Sequence, residues 1–267
     1  MTLYSQLVIF INISNTNFPN FKRPSIMKKI TTLLFASLFI SSCFGQRPEE
    51  TEDWSRKPEA VTPGKGTSPP SDAIVLYGGA EDIDKWVHVM EGEAKWNAED
   101  ILTVVPRAGG IKTKLSFGDV QLHVEWRSPE EVVSEGQGRG NSGIFLMALY
   151  EVQVLDSYNN ETYYNGQAGS VYKQHIPLVN ACRPPGKWQT YDIIFKTPKF
   201  KEDGSLKSPA YVTVIHNGIL IQNHVALEGP MQYIGKTSYK AHAKKLPFML
   251  QEHGNPVSYR NIWIREL

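Results

Sequence analysis

The amino-acid sequence predicts an all-β fold, a sandwich or barrel of antiparallel strands, and three observations carry that expectation. Asp119-Val-Gln-Leu-His-Val-Glu-Trp-Arg127 alternates cleanly, with Val120, Leu122, Val124 and Trp126 on one face and Gln121, His123, Glu125 and Arg127 on the other. Asn217-Gly218 lies between two β-rich runs, 211–216 and 219–222, which is the strongest short hairpin signal. Further strand-like runs recur at short spacing between Gly, Pro and Asn clusters, while helical periodicity is scarce.

Taken in order, residues 1–45 read as an address. The apolar run Leu7-Val-Ile-Phe-Ile-Asn-Ile13 is too short to span a bilayer and has no positive charge before it. A secretory signal begins at Met27, with Lys28 and Lys29, an apolar core over 30–40, and then Ser41-Ser42-Cys43. Met27 is therefore the expected start, and residues 1–26 an upstream extension of the reading frame. The signal can end in two ways. As a bacterial lipobox it would lipidate Cys43 and make it the first mature residue; otherwise a signal peptidase would cut after Gly45. The first is favoured, because a cysteine at this place has little other use. It implies a periplasmic or outer-membrane lipoprotein of the cell envelope that meets the membrane only through its anchor.

Residues 46–72 are rich in Pro, Glu, Lys, Ser and Gly without apolar periodicity, and read as a flexible linker. Trp54 keeps open the alternative of an ordered arm lying on the domain. Residues 73–267 make one domain. Lys and Arg number 28 against 27 Asp and Glu, with no basic patch, so nucleic acid is not an expected partner. Cys182 is the remaining cysteine after Cys43, which rules out an internal disulfide framework and reads as a small buried thiol. A short helical turn is expected near 82–86 and a strand over 191–196. A final strand pair is expected from 246–252 and 257–267, around Gly254-Asn255-Pro256.

The central stretch is Gly140-Asn-Ser-Gly-Ile-Phe-Leu-Met-Ala-Leu-Tyr-Glu-Val-Gln-Val-Leu-Asp156, two strands joined by a short turn. Alternation puts Val152 and Val154 on one side and Glu151 and Gln153 on the other. Asp156 falls out of phase, and a β-bulge near Leu155 would return it to the Glu151 face. Two carboxylates and an amide on one surface form a candidate acid/base site. The plainer reading is the solvated side of an amphipathic strand. Gln251 and His253, two residues apart, form a second polar pair.

These pieces together resemble the 3-keto-disaccharide hydrolase family, formerly a domain of unknown function. The resemblance rests on Ala108-Gly-Gly-Ile-Lys-Thr-Lys114, Phe117 to Arg127, Gly140-Asn-Ser-Gly-Ile-Phe145 and Tyr150-Glu-Val-Gln-Val-Leu-Asp156. It continues through Ala168-Gly-Ser-Val-Tyr172, Lys187-Trp-Gln-Thr-Tyr191, His216-Asn-Gly218, Leu250-Gln-Glu-His-Gly254 and Tyr259-Arg-Asn-Ile-Trp-Ile264. It departs from the family pattern at Tyr77-Gly-Gly79 and at Trp188-Gln189. It implies a concanavalin A-like jelly-roll sandwich of two antiparallel sheets, with a functional concave face.

The resemblance also implies a hydrolase, or lyase and hydratase, acting on 3-keto-glycosides and disaccharides. A 3-keto group acidifies the C2 proton, so a base can take it and the C1 substituent can leave by β-elimination before water adds back. Glu151 and His253 are then the acid/base candidates, and Asp156 orients a partner or binds a sugar hydroxyl. Lys114, Arg127 and Arg260 are enolate-side donors. Gln153, Tyr172, Gln251 and Asn141 are hydroxyl ligands, and Glu125 a further substrate contact. Structural alternatives stand beside these roles: a turn cap for His253, an ion-pair partner for Arg260, a turn residue for Asn141 and a solvated lysine for Lys114. No compact ligand spacing demands a metal, and no cofactor is expected. The competing functions are a lectin-like carbohydrate-binding module without catalysis and a structural adhesin domain.

Overall fold

The computed structural model describes residues 47–267; the expectations for Met27, Cys43 and the signal lie outside the described residues. The chain divides between Glu59 and Ala60. In the described part of the first unit, Pro48–Thr51 forms one 3-10 turn and the Trp54 indole donates to the Glu52 carboxylate at 2.9 Å. The second unit, Ala60–Leu267, holds the sandwich.

Fifteen strands form among the described residues. In chain order they are β1 (Ile74–Tyr77), β2 (Trp86–His88), β3 (Asn97–Ala98), β4 (Leu102–Thr103), β5 (Ile111–Phe117), β6 (Val120–Arg127), β7 (Ser142–Leu146) and β8 (Tyr150–Val154). β9 (Gln189–Lys196), β10 (Lys199–Phe200), β11 (Leu206–Ser208), β12 (Tyr211–His216), β13 (Ile219–Ala226), β14 (Leu246–Leu250) and β15 (Ser258–Glu266) follow. An eight-stranded sheet runs β13-β12-β9-β6-β15-β4-β3, with β1 also paired to β15. A five-stranded sheet runs β2-β5-β14-β7-β8, and β10 and β11 pair separately. The short helical turn expected near 82–86 is a 3-10 turn at Ala80–Lys85.

Alternation decides what lies between the sheets. Leu122, Val124 and Trp126 of β6 and Ile193 and Phe195 of β9 meet Ile144 of β7, Val152 and Val154 of β8, and Phe248 and Leu250 of β14, all buried in one core. Each large apolar side chain so buried contributes roughly 1.5–3 kcal/mol. The β12–β13 hairpin turns at Asn217 and Gly218, whose φ of 52° and 82° are the left-handed pair that a two-residue hairpin turn requires.

Two expectations are corrected here. β14 and β15 do not pair; β14 joins β5 and β7, while β15 joins β6, β4 and β1. The Gly254-Asn255-Pro256 segment is therefore a crossing between sheets, not a hairpin, and it puts Gln251 and Arg260 in different sheets. The linker reading of 46–72 does not hold for its second half. Residues 60–72 belong to the compact unit, where Thr67 accepts from Asn261 and from the Trp263 indole through its carbonyl, at 2.8 and 2.9 Å. Its hydroxyl donates to Glu125 at 2.8 Å, and Asp72 pairs with Arg265 at 2.6 Å. Polar composition hid this, because the segment is held by hydrogen bonds rather than by apolar burial.

Candidate active site

The site is built on the face of the five-stranded sheet turned away from the core. Val152 and Val154 point inward, so Glu151 and Gln153 point outward, and in register beside them lie Phe145 and Gly143 of β7. β8 is the last strand of this sheet, and the chain covers its open edge. Gln153 N donates to Ser170 O, Gly169 N to Gln153 O and Tyr172 N to Glu151 O, at 3.0, 2.9 and 3.2 Å. That backbone pairing satisfies the edge and brings Tyr172 alongside Glu151.

Gly143 is the reason the polar side chains can converge. A Cβ there would lie 2.5 Å from Glu151 Oε1, 2.8 Å from the Phe145 ring and 3.2 Å from Gln251 Oε1. Only a glycine lets side chains of the neighbouring strands close over β7. Gln251 is fixed by Tyr259, whose hydroxyl donates to Ser142 Oγ at 2.6 Å; that oxygen in turn donates to Gln251 O at 2.5 Å. Gln251 N donates to Gly143 O at 2.9 Å. His253 follows on the exposed turn that leaves the sheet.

The result is a cleft of about 170 Å³ lined by Asn141, Glu151, Gln153, Tyr172, Met231, Tyr233, Gln251 and His253. Glu151 is 4 % exposed, and burial pushes its carboxyl up to about 8, since no countercharge offsets the loss of water. A carboxyl at that value gives or takes a proton near neutral pH. At the rim, Tyr172 and Tyr163 share a 2.6 Å hydroxyl–hydroxyl hydrogen bond, and burial with that bond raises the Tyr172 phenol. The Lys173 ammonium sits 3.9 Å over the Tyr163 ring.

Six of the residues singled out in the sequence thus share one cleft: Glu151, His253, Asn141, Gln153, Tyr172 and Gln251. Five others do not. Asp156 lies beyond the end of β8, because the β7–β8 register is regular and no bulge returns it to the Glu151 face. Its carboxylate is buried against Arg139 at 2.7 Å and lines a neighbouring cleft with Ser128 and Asn255. Lys114 is exposed on β5, across the sheet, in a groove with Asp84 and Trp86. Glu125, Arg127 and Arg260 belong to the other sheet, on its outer face. There Glu125 accepts from Arg260 at 2.6 Å, Asn261 at 3.0 Å and Thr67, and both arginines stack on Trp188. Glu125 holds Thr67 of residues 60–72, Arg260 holds Glu125, and Glu125, Arg127 and Arg260 are all remote from the cleft. Met231 and Tyr233 were not foreseen. They come from the loop between β13 and β14, whose sequence has no periodicity to say where it lies.

The family model for the 3-keto-alpha-glucoside-1,2-lyase-like domain matches residues 72–265. The chain belongs to this family. It is a family of carbohydrate-processing domains, in line with the resemblance carried by the sequence motifs. A crystal structure of a candidate glycosyl hydrolase from Parabacteroides distasonis is 49% identical, with a TM-score of 0.79, over 84% of this chain and 98% of that one. A second candidate glycosyl hydrolase from the same organism is 19% identical with a TM-score of 0.53, over 73% and 94%, and shares the fold. No curated protein matches the chain.

Proposed function

We propose that this protein cleaves the glycosidic bond of glycosides oxidised at C3, by elimination followed by addition of water. The observation that carries the reading is a lone buried carboxyl, Glu151, raised to about 8 at the floor of a polar cleft. A double-displacement glycosidase needs two carboxyl groups about 5–5.5 Å apart. The lining of this cleft supplies one, and Asp156 is paired with Arg139 elsewhere. A 3-keto sugar needs no second carboxylate, because its C2 proton is already acidic.

In the proposed sequence His253 takes the C2 proton, and the electron pair moves into the 3-keto group as an enolate. Collapse of the enolate expels the C1 oxygen, which takes the proton of Glu151. The enone then accepts water at C1, the two groups act in reverse, and C2 regains a proton. Amide N–H groups of Gln251 and the Tyr172 hydroxyl are the donors nearest to hand for the enolate oxygen, in place of the distant Lys114, Arg127 and Arg260. The test is to incubate purified protein with a 3-keto-glycoside and its unoxidised parent and follow free reducing sugar. Release from the keto form alone supports the reading; release from the parent alone, or from neither, ends it.

We also propose that Cys43 carries a lipid anchor and holds the protein at a bacterial cell envelope. The support is the basic start, the apolar core and the Ser-Ser-Cys ending of the sequence.

A further inference from the structure

The side-chain amide of Gln153 faces oxygen at both ends, and the two ends are not equivalent. At one end stand Gln137 Oε1 at 3.2 Å and Asn141 Oδ1 at 3.4 Å. Both orientations are fixed from outside the cleft. Gln137 Nε2 donates to the backbone carbonyl of Gly166 at 2.9 Å and to Thr162 Oγ1 at 3.0 Å, so its oxygen must be the atom turned to Gln153. Asn141 Nδ2 donates to the backbone carbonyl of Gln137 at 2.7 Å, so its oxygen faces Gln153 as well. The NH₂ of Gln153 therefore belongs at this end.

The other end then carries Gln153 Oε1, which lies 3.1 Å from Glu151 Oε1 and 3.2 Å from the Ser142 carbonyl. Turning the amide over would give Glu151 and Ser142 a donor but set oxygen against Gln137 Oε1. Ser142 is already in register with Val154 in the β7–β8 ladder. One hydrogen satisfies the whole chain: a proton on Glu151 Oε1, donated to Gln153 Oε1.

We propose that Gln137 is a positioning residue that, through the amide of Gln153, keeps the proton on Glu151 Oε1 and holds that group in its acid form. The inference rests on the reading of Glu151 as the proton donor of the cleft. It extends that reading to a residue outside the lining. The groups facing Glu151 do not compete for the role. Tyr172 from the edge-covering segment and Tyr259 from β15 are phenols raised by burial, and β7 presents only Gly143 and Phe145. Tyr233 and His253 come from the two loops above. The desolvation of Glu151 acts in the same direction as the amide chain.

The experiment reads the proton on Glu151 directly, by the infrared carbonyl band of its acid form, assigned by its loss in Glu151→Gln and titrated against pH. Gln137→Met removes the nearer of the two acceptors and leaves Asn141 Oδ1 at 3.4 Å, so Gln153 can turn its NH₂ to Glu151 at a smaller cost, and the midpoint should fall by about one pH unit or more, tenfold in the dissociation constant. Gln137→Glu keeps an oxygen facing Gln153 and should leave the midpoint at or above that of the parent. An unchanged midpoint in Gln137→Met, or an equal fall in both variants, overturns the inference. If Gln137→Met does not fold, a lowered midpoint in Gln137→Glu alone overturns it and a retained one supports it. No substrate enters this measurement. Split midpoints without cleavage of 3-keto-glycosides would sink the proposed function and leave the inference standing; cleavage with equal midpoints would do the reverse.

Discussion

Replacing Glu151 by Gln removes a titrating group while keeping its shape, and the structure says how stability should respond. In the folded chain burial puts this carboxyl at about 8, against 4.5 for the ordinary group. Between those values the folded state holds a proton that the unfolded chain has released, so stability falls as pH rises. The contribution is fully present below about 4.5 and gone above about 8. At about 1.4 kcal/mol per unit the whole shift corresponds to about 5 kcal/mol. Water entry and local relaxation reduce the cost of a buried charge, and on the order of 2 kcal/mol should survive. For a domain of this size that is roughly 4–8 °C in Tm. A glutamine cannot ionise, and its NH₂ can donate to Gln153 Oε1 as the protonated acid does. Calorimetry from about pH 5 to 9 should therefore show the wild-type Tm dropping away from that of Glu151→Gln as pH rises. Parallel curves would refute the burial argument, whatever the activity of the variant.

Four further outcomes are expected. His253→Ala should lose roughly 10²–10⁴-fold in kcat on 3-keto-glycosides, the usual contribution of a positioned base, while sugar binding measured calorimetrically persists; full activity would remove His253 from the mechanism. Gly143→Ala should cost about 1–3 kcal/mol in denaturant unfolding and depress turnover, since its Cβ would meet Glu151 Oε1 at 2.5 Å. Arg260→Ala should lower stability by about 1 kcal/mol, discounted because the arginine is partly exposed, yet leave kcat/KM unchanged. Cys43→Ala should abolish membrane partition and change processing, whereas a soluble wild-type protein beginning at Gln46 would dismiss the anchor.

The strands were legible where one face is apolar. β6, β9 and the β12–β13 hairpin follow from alternation and from Asn217-Gly218, and the same alternation put Glu151 and Gln153 on one surface. Local pattern does not say which sheet a strand joins. Glu125 and Arg127 alternate on β6 as Glu151 and Gln153 do on β8, but β6 pairs with β9 and β15, so its polar face lies on the far side of the molecule. That choice depends on pairings across more than 60 residues, which no short window contains. Arg260 is placed by a second hidden device. Between Arg260 and Trp263 the β15 register shifts against β6, with Asn261 at a φ of 46°, and this lets Arg260, Asn261 and Trp263 all act on Glu125 or Thr67. Asp156 shows the converse error: a bulge was required and the ladder simply ends. Gln137 and the Met231–Tyr233 segment were silent because loops are positioned by what they dock against.

Residues 60–72 lie along the outer face of the eight-stranded sheet, held there by Glu125, Asn261 and Trp263, while the cleft opens on the outer face of the five-stranded sheet. The outer face of one sheet is thus taken up by a bound segment and that of the other by the cleft. Traction applied at residue 60 is borne first by the Thr67 contacts and the Arg265–Asp72 pair rather than by β7 and β8. Release of residues 60–72 would bare the outer face of the eight-stranded sheet and leave the residues that line the cleft untouched.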